Sequence, residues 1–228
     1  MKHFLFTLLV FINLQTSAQF ALVESKDGFV NLRESAKSES KSVQKLKNGE
    51  VVYVDEIEYS TEQTWLYVKL NTERKGYIHK SGLKFIHQLN KADSKAINDQ
   101  SIQLNINQHQ LSVSTQQFDI HQHKITYKNQ SKKNENDVFR IDDKVFWGTD
   151  NSIPKSAYKN ATFRNKSCLI TLPTIGLYEP NLKSTNMYLN KGHVYIIAQN
   201  GDGAGAYSVL WEIYQNKLIR QLIFLSAS

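Results

Sequence analysis

The sequence predicts an all-β chain, a small and strongly bent barrel followed by a larger β-rich domain, sandwich or partial barrel. Three observations carry that expectation. Eleven Tyr, eleven Phe and three Trp stand among many Val, Ile and Thr, residues that suit a pleated, half-buried surface. Short apolar runs recur between polar turns, and no stretch sustains a helical period. Three Pro and ten Gly in 228 residues are too few for a collagen-like or Pro-rich disordered chain.

The first segment reads as an address, not a structural element. Lys2 gives a positive start, and "FLFTLLVFINL" (Phe4–Leu14) is an apolar run of 11 residues, too short to span a bilayer. Small residues follow in "QTSA", which puts cleavage near Ala18 and Gln19 first in the mature chain. The expectation is therefore export, to the periplasm or beyond the cell, with no transmembrane segment in the mature chain. Removing Lys2 takes the formal charge from +7 to +6, a balance that favours attraction to an anionic envelope. The Lys residues are scattered among Asn, Ser and Glu without a basic stripe, so nucleic acid is not expected as a partner. Cys168 is the only cysteine, so an internal disulfide is excluded and stability must come from apolar burial.

The elements follow in order. "FALVES" (Phe20–Ser25) reads as a first strand and "FVNLR" (Phe29–Arg33) as a second, with Val30 and Leu32 on one face and Asn31 and Arg33 on the other. A polar loop runs from Glu34 to Lys45. Asn48-Gly49 suits a tight turn because both residues tolerate positive φ. "VVYVDEIEY" continues as a strand, "TWLYVKL" alternates Trp65, Tyr67 and Lys69 against Leu66, Val68 and Leu70, and "KGYIHKSGL" closes the unit. So many short strands in so few residues suit a bent barrel better than a sandwich. Residues 87–100 are polar without a sustained apolar period and read as a linker between a unit at 19–86 and one at 101–228. In the second unit "SIQLNIN", "HQLSVST" and "FDIHQHKITY" read as a meander, and "VFRIDDKVFW" as a hairpin turning at Asp142-Asp143. "HVYIIAQ" and "AYSVLWEIY" flank "NGDGAG", and "KLIRQLIFL" comes last, with a turn at Asn216-Lys217.

The order G-x-V-N-L-R, Ser-rich loop, V-x-x-L-x-x-G-E, W-x-x-V, G-Y-I-H…L resembles a bacterial SH3-type (SH3b) domain. The matching residues are Gly28, Asn31, Leu32, Arg33, Val43, Leu46, Gly49, Trp65, Val68, Gly76, Tyr77, Ile78 and Leu83. The family usually carries a Pro in its first loop, where this chain has "ESAKSES". The resemblance implies a barrel presenting a groove to a short peptide or glycopeptide, from peptidoglycan or an envelope protein. Trp65, Tyr67 and Tyr77 are the candidate contact residues, because aromatic rings supply contact area at small entropy cost. The opposing reading has these rings capping the barrel or packing on the second unit.

Chemistry elsewhere is sparse. Cys168 in "NKSCLITL" sits in a strand pattern, where a buried thiol is a better reading than a nucleophile. His109, His121 and His123 fall on neighbouring strand patterns, but no carboxylate of matching spacing completes a metal set. "NGDGAG" begins like a calcium loop and fails at Ala204; no phosphate loop is present either. No metal or cofactor is expected. Trp147, Asp150, Tyr178, Glu179, Asp202 and Tyr207 lie in three loops of unusual composition that a β-domain can gather at one end. Converging there, Asp150, Glu179 and Asp202 would suit acid and base roles in an envelope hydrolase. The leading expectation remains a non-catalytic envelope binding protein, with the hydrolase and a protein-binding adaptor or inhibitor as alternatives.

Overall fold

The computed structural model describes residues 19–55, 63–129, 131, 134–201 and 203–226. Residues 1–18, on which the export reading falls, the far end of the "VVYVDEIEY" strand reading and Asp202 lie outside them. The chain is all-β. Seven strands make the first sheet: β1 (Gln19–Val23), β2 (Phe29–Arg33), β3 (Ser42–Lys47), β4 (Val51–Val54), β5 (Trp65–Lys69), β6 (Lys75–His79) and β7 (Leu83–Phe85). Their order is β3-β2-β6-β5-β4-β1-β7, a bent sheet wrapped on one core of Val23, Leu32, Leu46, Val52, Val54, Leu66, Val68, Ile78 and Phe85. The period-two reading holds here: Leu66 and Val68 point in, and Trp65 and Tyr67 point away. Gly76 is required where β6 meets β2, because a Cβ there would stand 2.5 Å from the Arg33 carbonyl oxygen.

Residues 87–100 do not form a linker. After a 3-10 turn at Ile86–Gln88 they supply β8 (Asn90–Lys91) and β9 (Asp93–Asn98), each an edge of a different sheet. The low apolar content that suggested a linker is the signature of an edge strand, exposed along all of β9. The remaining strands are β10 (Ser101–Ile106), β11 (His109–Gln117), β12 (Ile125–Tyr127), β13 (Val138–Ile141), β14 (Ser156–Arg164), β15 (Leu169–Thr171), β16 (Asn186–Asn190), β17 (His193–Asn200), β18 (Tyr207–Tyr214) and β19 (Lys217–Leu225).

Two five-stranded sheets, β15-β14-β11-β10-β9 and β19-β18-β17-β16-β8, face each other across a core of Leu104, Leu111, Val113, Phe163, Met187, Ile196, Val209, Trp211 and Ile213. This is the sandwich arm of the sequence expectation. The Trp211 indole N–H, deep in that core, donates to the Pro173 carbonyl at 3.1 Å. The β12–β13 ribbon stands apart as a two-stranded sheet. Asp142 (φ 52°) and Asp143 (φ 61°) turn the chain after β13 as expected, while the last hairpin turns at Gln215 and Asn216, one residue earlier than predicted. His121 lies in a 3-10 turn at Ile120–Gln122 and His123 just after it, so these two imidazoles do not share a strand face.

The barrel and sandwich are joined by a third core. Phe20 and Leu22 of β1 and Val51 and Tyr53 of β4 pack with Ile86 against Tyr188, Tyr195, Leu210 and Phe224. Tyr53 stacks on Phe224 with centroids 4.6 Å apart, and Phe20 meets the Tyr53 ring edge-on at 5.4 Å. Both faces of β4 and almost all of β18 are therefore buried. That explains why "VVYV" and "YSVLWEIY" are nearly unbroken apolar runs where a one-sided strand would alternate. The charged exception on β18 is Glu212, 1% exposed, which pairs with His193 at 2.8 Å and Arg220 at 3.2 Å. Phe224→Ala removes a ring packed against two others, and a loss of ~3–5 kcal/mol of stability is expected, measured as the shift in a denaturant unfolding curve.

Candidate functional site

The outer face of the barrel is set by strand register. Trp65 pairs with His79, and Tyr67 with Tyr77, across β5 and β6, while Arg33 on β2 pairs with Tyr77. Directly opposed residues of an antiparallel pair share a face, so the three aromatic candidates form one outward patch. Trp65 and His79 meet edge-on with centroids 5.2 Å apart, and Tyr67 and Tyr77 are tilted at the same separation. The His79 ring is held by a 2.7 Å hydrogen bond between Nδ1 and the Ser81 hydroxyl.

One end of this patch opens into a groove of about 500 Å³. Trp65 and His79 form one wall; Phe29, Asn31 and Arg33 form the other, and Ser25, Lys26 and Asp27 close it. Trp65 is half-buried and faces the groove, and the sandwich does not cover it. Tyr67 and Tyr77 stand one register pair along, outside the groove's lining. The sequence reading missed Phe29, Lys26 and His79. The signal for Phe29 was present: alternation in "FVNLR" puts it on the face of Asn31 and Arg33. Its ring carries the Lys45 ammonium 3.3 Å above the centroid, a cation–π contact that no sequence spacing announced.

The three C-terminal loops do converge, and chiefly through backbone. Trp147 N–H donates to the Gly176 carbonyl at 2.8 Å, Tyr178 N–H to the Trp147 carbonyl at 3.1 Å, and Gly201 N–H to the Glu179 carbonyl at 2.9 Å. Gly148 N–H reaches the Gly205 carbonyl at 3.1 Å. A Cβ on Gly205 would sit 2.3 Å from the Thr149 carbonyl carbon, so only glycine permits this closeness. Beside the junction is a cavity of about 540 Å³ lined by Thr149, Asp150, Ser152, Lys155, Glu179 and Gly203, among others.

Most side chains of these loop candidates are engaged in holding the junction together. Glu179 is a staple: its carboxylate accepts hydrogen bonds from the Lys155 N–H, from the Ser156 N–H at 3.2 Å and from the Ser156 hydroxyl at 2.9 Å. Its own backbone stands at φ 51°. Tyr207 is fully buried, its hydroxyl donating to the Tyr178 carbonyl at 3.0 Å. Tyr178 is also buried, edge-on to Phe118 at 5.2 Å. Trp147 packs half-buried against the sandwich core. Buried aromatics in loop sequence look like contact residues because spacing does not reveal a knotted junction. Asp150 is exposed at the cavity, and Glu179 lines it half-buried. Cys168 is a half-buried free thiol beside the same core. His123 stacks on Phe118 and pairs through Nδ1 with Asp142 at 2.7 Å.

An open aromatic groove on a small bent barrel is the anatomy of a binding module. Residues 28–84 match the family model described as bacterial SH3 domain, so the barrel is a bacterial SH3 domain as its motifs implied. Domains of this family are generally cell-wall or peptidoglycan binding modules and are generally extracytoplasmic. No curated protein and no solved structure matches the chain. Among the described residues no helix is long and apolar enough to cross a membrane.

The buried tyrosines give the loop junction a pH signature. Burial first, and then the Asp142 charge, push the Tyr178 hydroxyl from its ordinary value of 10.0 up to about 12, and burial carries Tyr207 the same way. Because the neutral phenols are favoured in the folded state, their contribution is complete below the unfolded value and is lost as pH rises toward the folded one. Stability is therefore expected to fall between about pH 10 and 12, and Tyr178→Phe should flatten that fall in thermal melts taken across the range.

Proposed function

We propose that this chain is an exported, non-catalytic binding protein of the cell envelope whose SH3 groove takes a short peptide or glycopeptide derived from peptidoglycan. The observation that carries this reading is Trp65. The indole faces a groove of about 500 Å³ and stays half-buried, while the sandwich occupies the opposite wall of the barrel. Free binding surface on one wall and a structural partner on the other is the arrangement a recognition module needs. Phe29 and His79 flank the indole, so a ligand strand entering the groove meets rigid rings on both sides. Export rests on the Lys2 start, the apolar run Phe4–Leu14 and the small residues that follow. A wall ligand and an outward address are mutually consistent.

Titration of the mature protein with muropeptides released from a cell wall should change Trp fluorescence in wild type and not in Trp65→Phe. Trp65→Ala should weaken binding about tenfold or more while leaving the melting curve near wild type. No binding by any wall fragment to the folded protein counts against the groove. Expression with the leader intact should yield an exported chain beginning at Gln19 by N-terminal sequencing; a cytoplasmic product that keeps Met1 would remove the envelope from the argument.

A further inference from the structure

Among the described residues, the groove contains a cation that forms no ion pair. Arg33 is half-buried in β2, and its guanidinium gives one hydrogen bond, from Nη1 to the Ser40 carbonyl at 2.5 Å. A guanidinium carries five N–H donors in a planar fork. Among the described residues no carboxylate forms an ion pair with it. Glu39 feels its charge, but the carboxyl of Glu39 is drawn below its ordinary range first by the Ser38 hydroxyl, with Arg33 the least of the causes. Lys26, exposed on the groove's rim, and Lys45, above the Phe29 ring, form no ion pair among the described residues either. Asp27 is the acid in the lining, and it is exposed at the groove's end.

Partial removal from water weakens the hydration of the guanidinium, and an anion of matching geometry replaces what is lost. A carboxylate fits the fork bidentately, and such charge-assisted bonds are the strong ones. Lys45, over Phe29, adds a second positive charge to the same wall.

We propose that Arg33 is the specificity-determining residue of the groove and selects wall peptides that bear a free carboxylate over those in which it is amidated. This rests on the reading that the groove beside Trp65 takes a wall peptide. The aromatic walls supply contact area without regard to charge, and Arg33 supplies the choice. A bidentate pair also fixes which end of the peptide lies beside β2.

The test compares muropeptides with the same muropeptides after their carboxylates have been coupled to ammonia as carboxamides, followed by the Trp65 signal. The free acids should bind the wild-type protein roughly tenfold to a hundredfold more tightly at low salt. That advantage should shrink as ionic strength rises while amide affinity holds steady. Arg33→Gln should bring both ligands to the amide's affinity. Arg33→Lys should keep part of the preference, since an ammonium is a point charge without the fork. Equal affinity of wild type for acid and amide overturns this inference and leaves the groove intact. Binding of neither overturns the groove itself. If Arg33→Gln loses its fold with the Ser40 bond, the wild-type comparison across salt still decides the matter.

Discussion

The contact on which the rest of the molecule depends is the aromatic seam where Phe20 and Tyr53 meet Phe224. It assigns the two walls of the barrel to different tasks. The wall built by β1 and β4 is committed to the sandwich, so the wall built by β2, β5 and β6 is the one left open. Had the sandwich docked on Trp65 instead, the exposed wall of the barrel would be that of Phe20, Leu22, Val51 and Tyr53. The seam is held by ring packing and apolar burial, which lack direction. Lys191 of the sandwich reaches Glu24 of the barrel at 3.5 Å, Lys84 meets the same carboxylate at 3.7 Å from within the barrel, and Glu212 ties His193 to Arg220 within the sandwich sheet. Exposed pairs of the first kind contribute little to stability. Glu212 is different: it is 1% exposed, and loss of both His193 and Arg220 would leave its carboxylate uncompensated in a buried layer.

Much of the fold was legible in the chain, and the reasons are specific. Strand alternation in "TWLYVKL" separated Leu66 and Val68 from Trp65 and Tyr67 correctly, because that strand has one dry face. The Asp142-Asp143 turn was legible because those residues tolerate positive φ. What misled was context that spacing does not encode. The segment 87–100 looked like a linker because its edge strand β9, exposed on both faces, carries no apolar period. "HQH" looked like a strand because a short 3-10 turn is indistinguishable from one over three residues. "VVYV" was read simply as a strand, and the docked sandwich shows what lies on its second side.

The site divides in the same way. The aromatic trio on the barrel was visible as a period-two pattern, and register joined Tyr77 to it. Arg33 was visible as an outward residue of β2, but that no described carboxylate pairs with it is a property of three-dimensional neighbours. The C-terminal loops were singled out for composition, and composition was a fair guide to convergence but not to purpose. Tyr207 and Tyr178 are there to close the junction, and Glu179 ties Lys155 and Ser156 to it. Acids and aromatics in a loop are as useful for knitting as for catalysis.

The seam has a consequence for how the chain is made. Its halves are far apart in the order of synthesis: Phe20 and Tyr53 come early, and Phe224 belongs to the last described strand. The β1–β4 wall therefore stays wet and adhesive for most of the time the polypeptide is emerging, a window in which exposed apolar surface invites aggregation. Covering that wall falls to the β18–β19 hairpin, whose arrival converts a sticky intermediate into a sealed one.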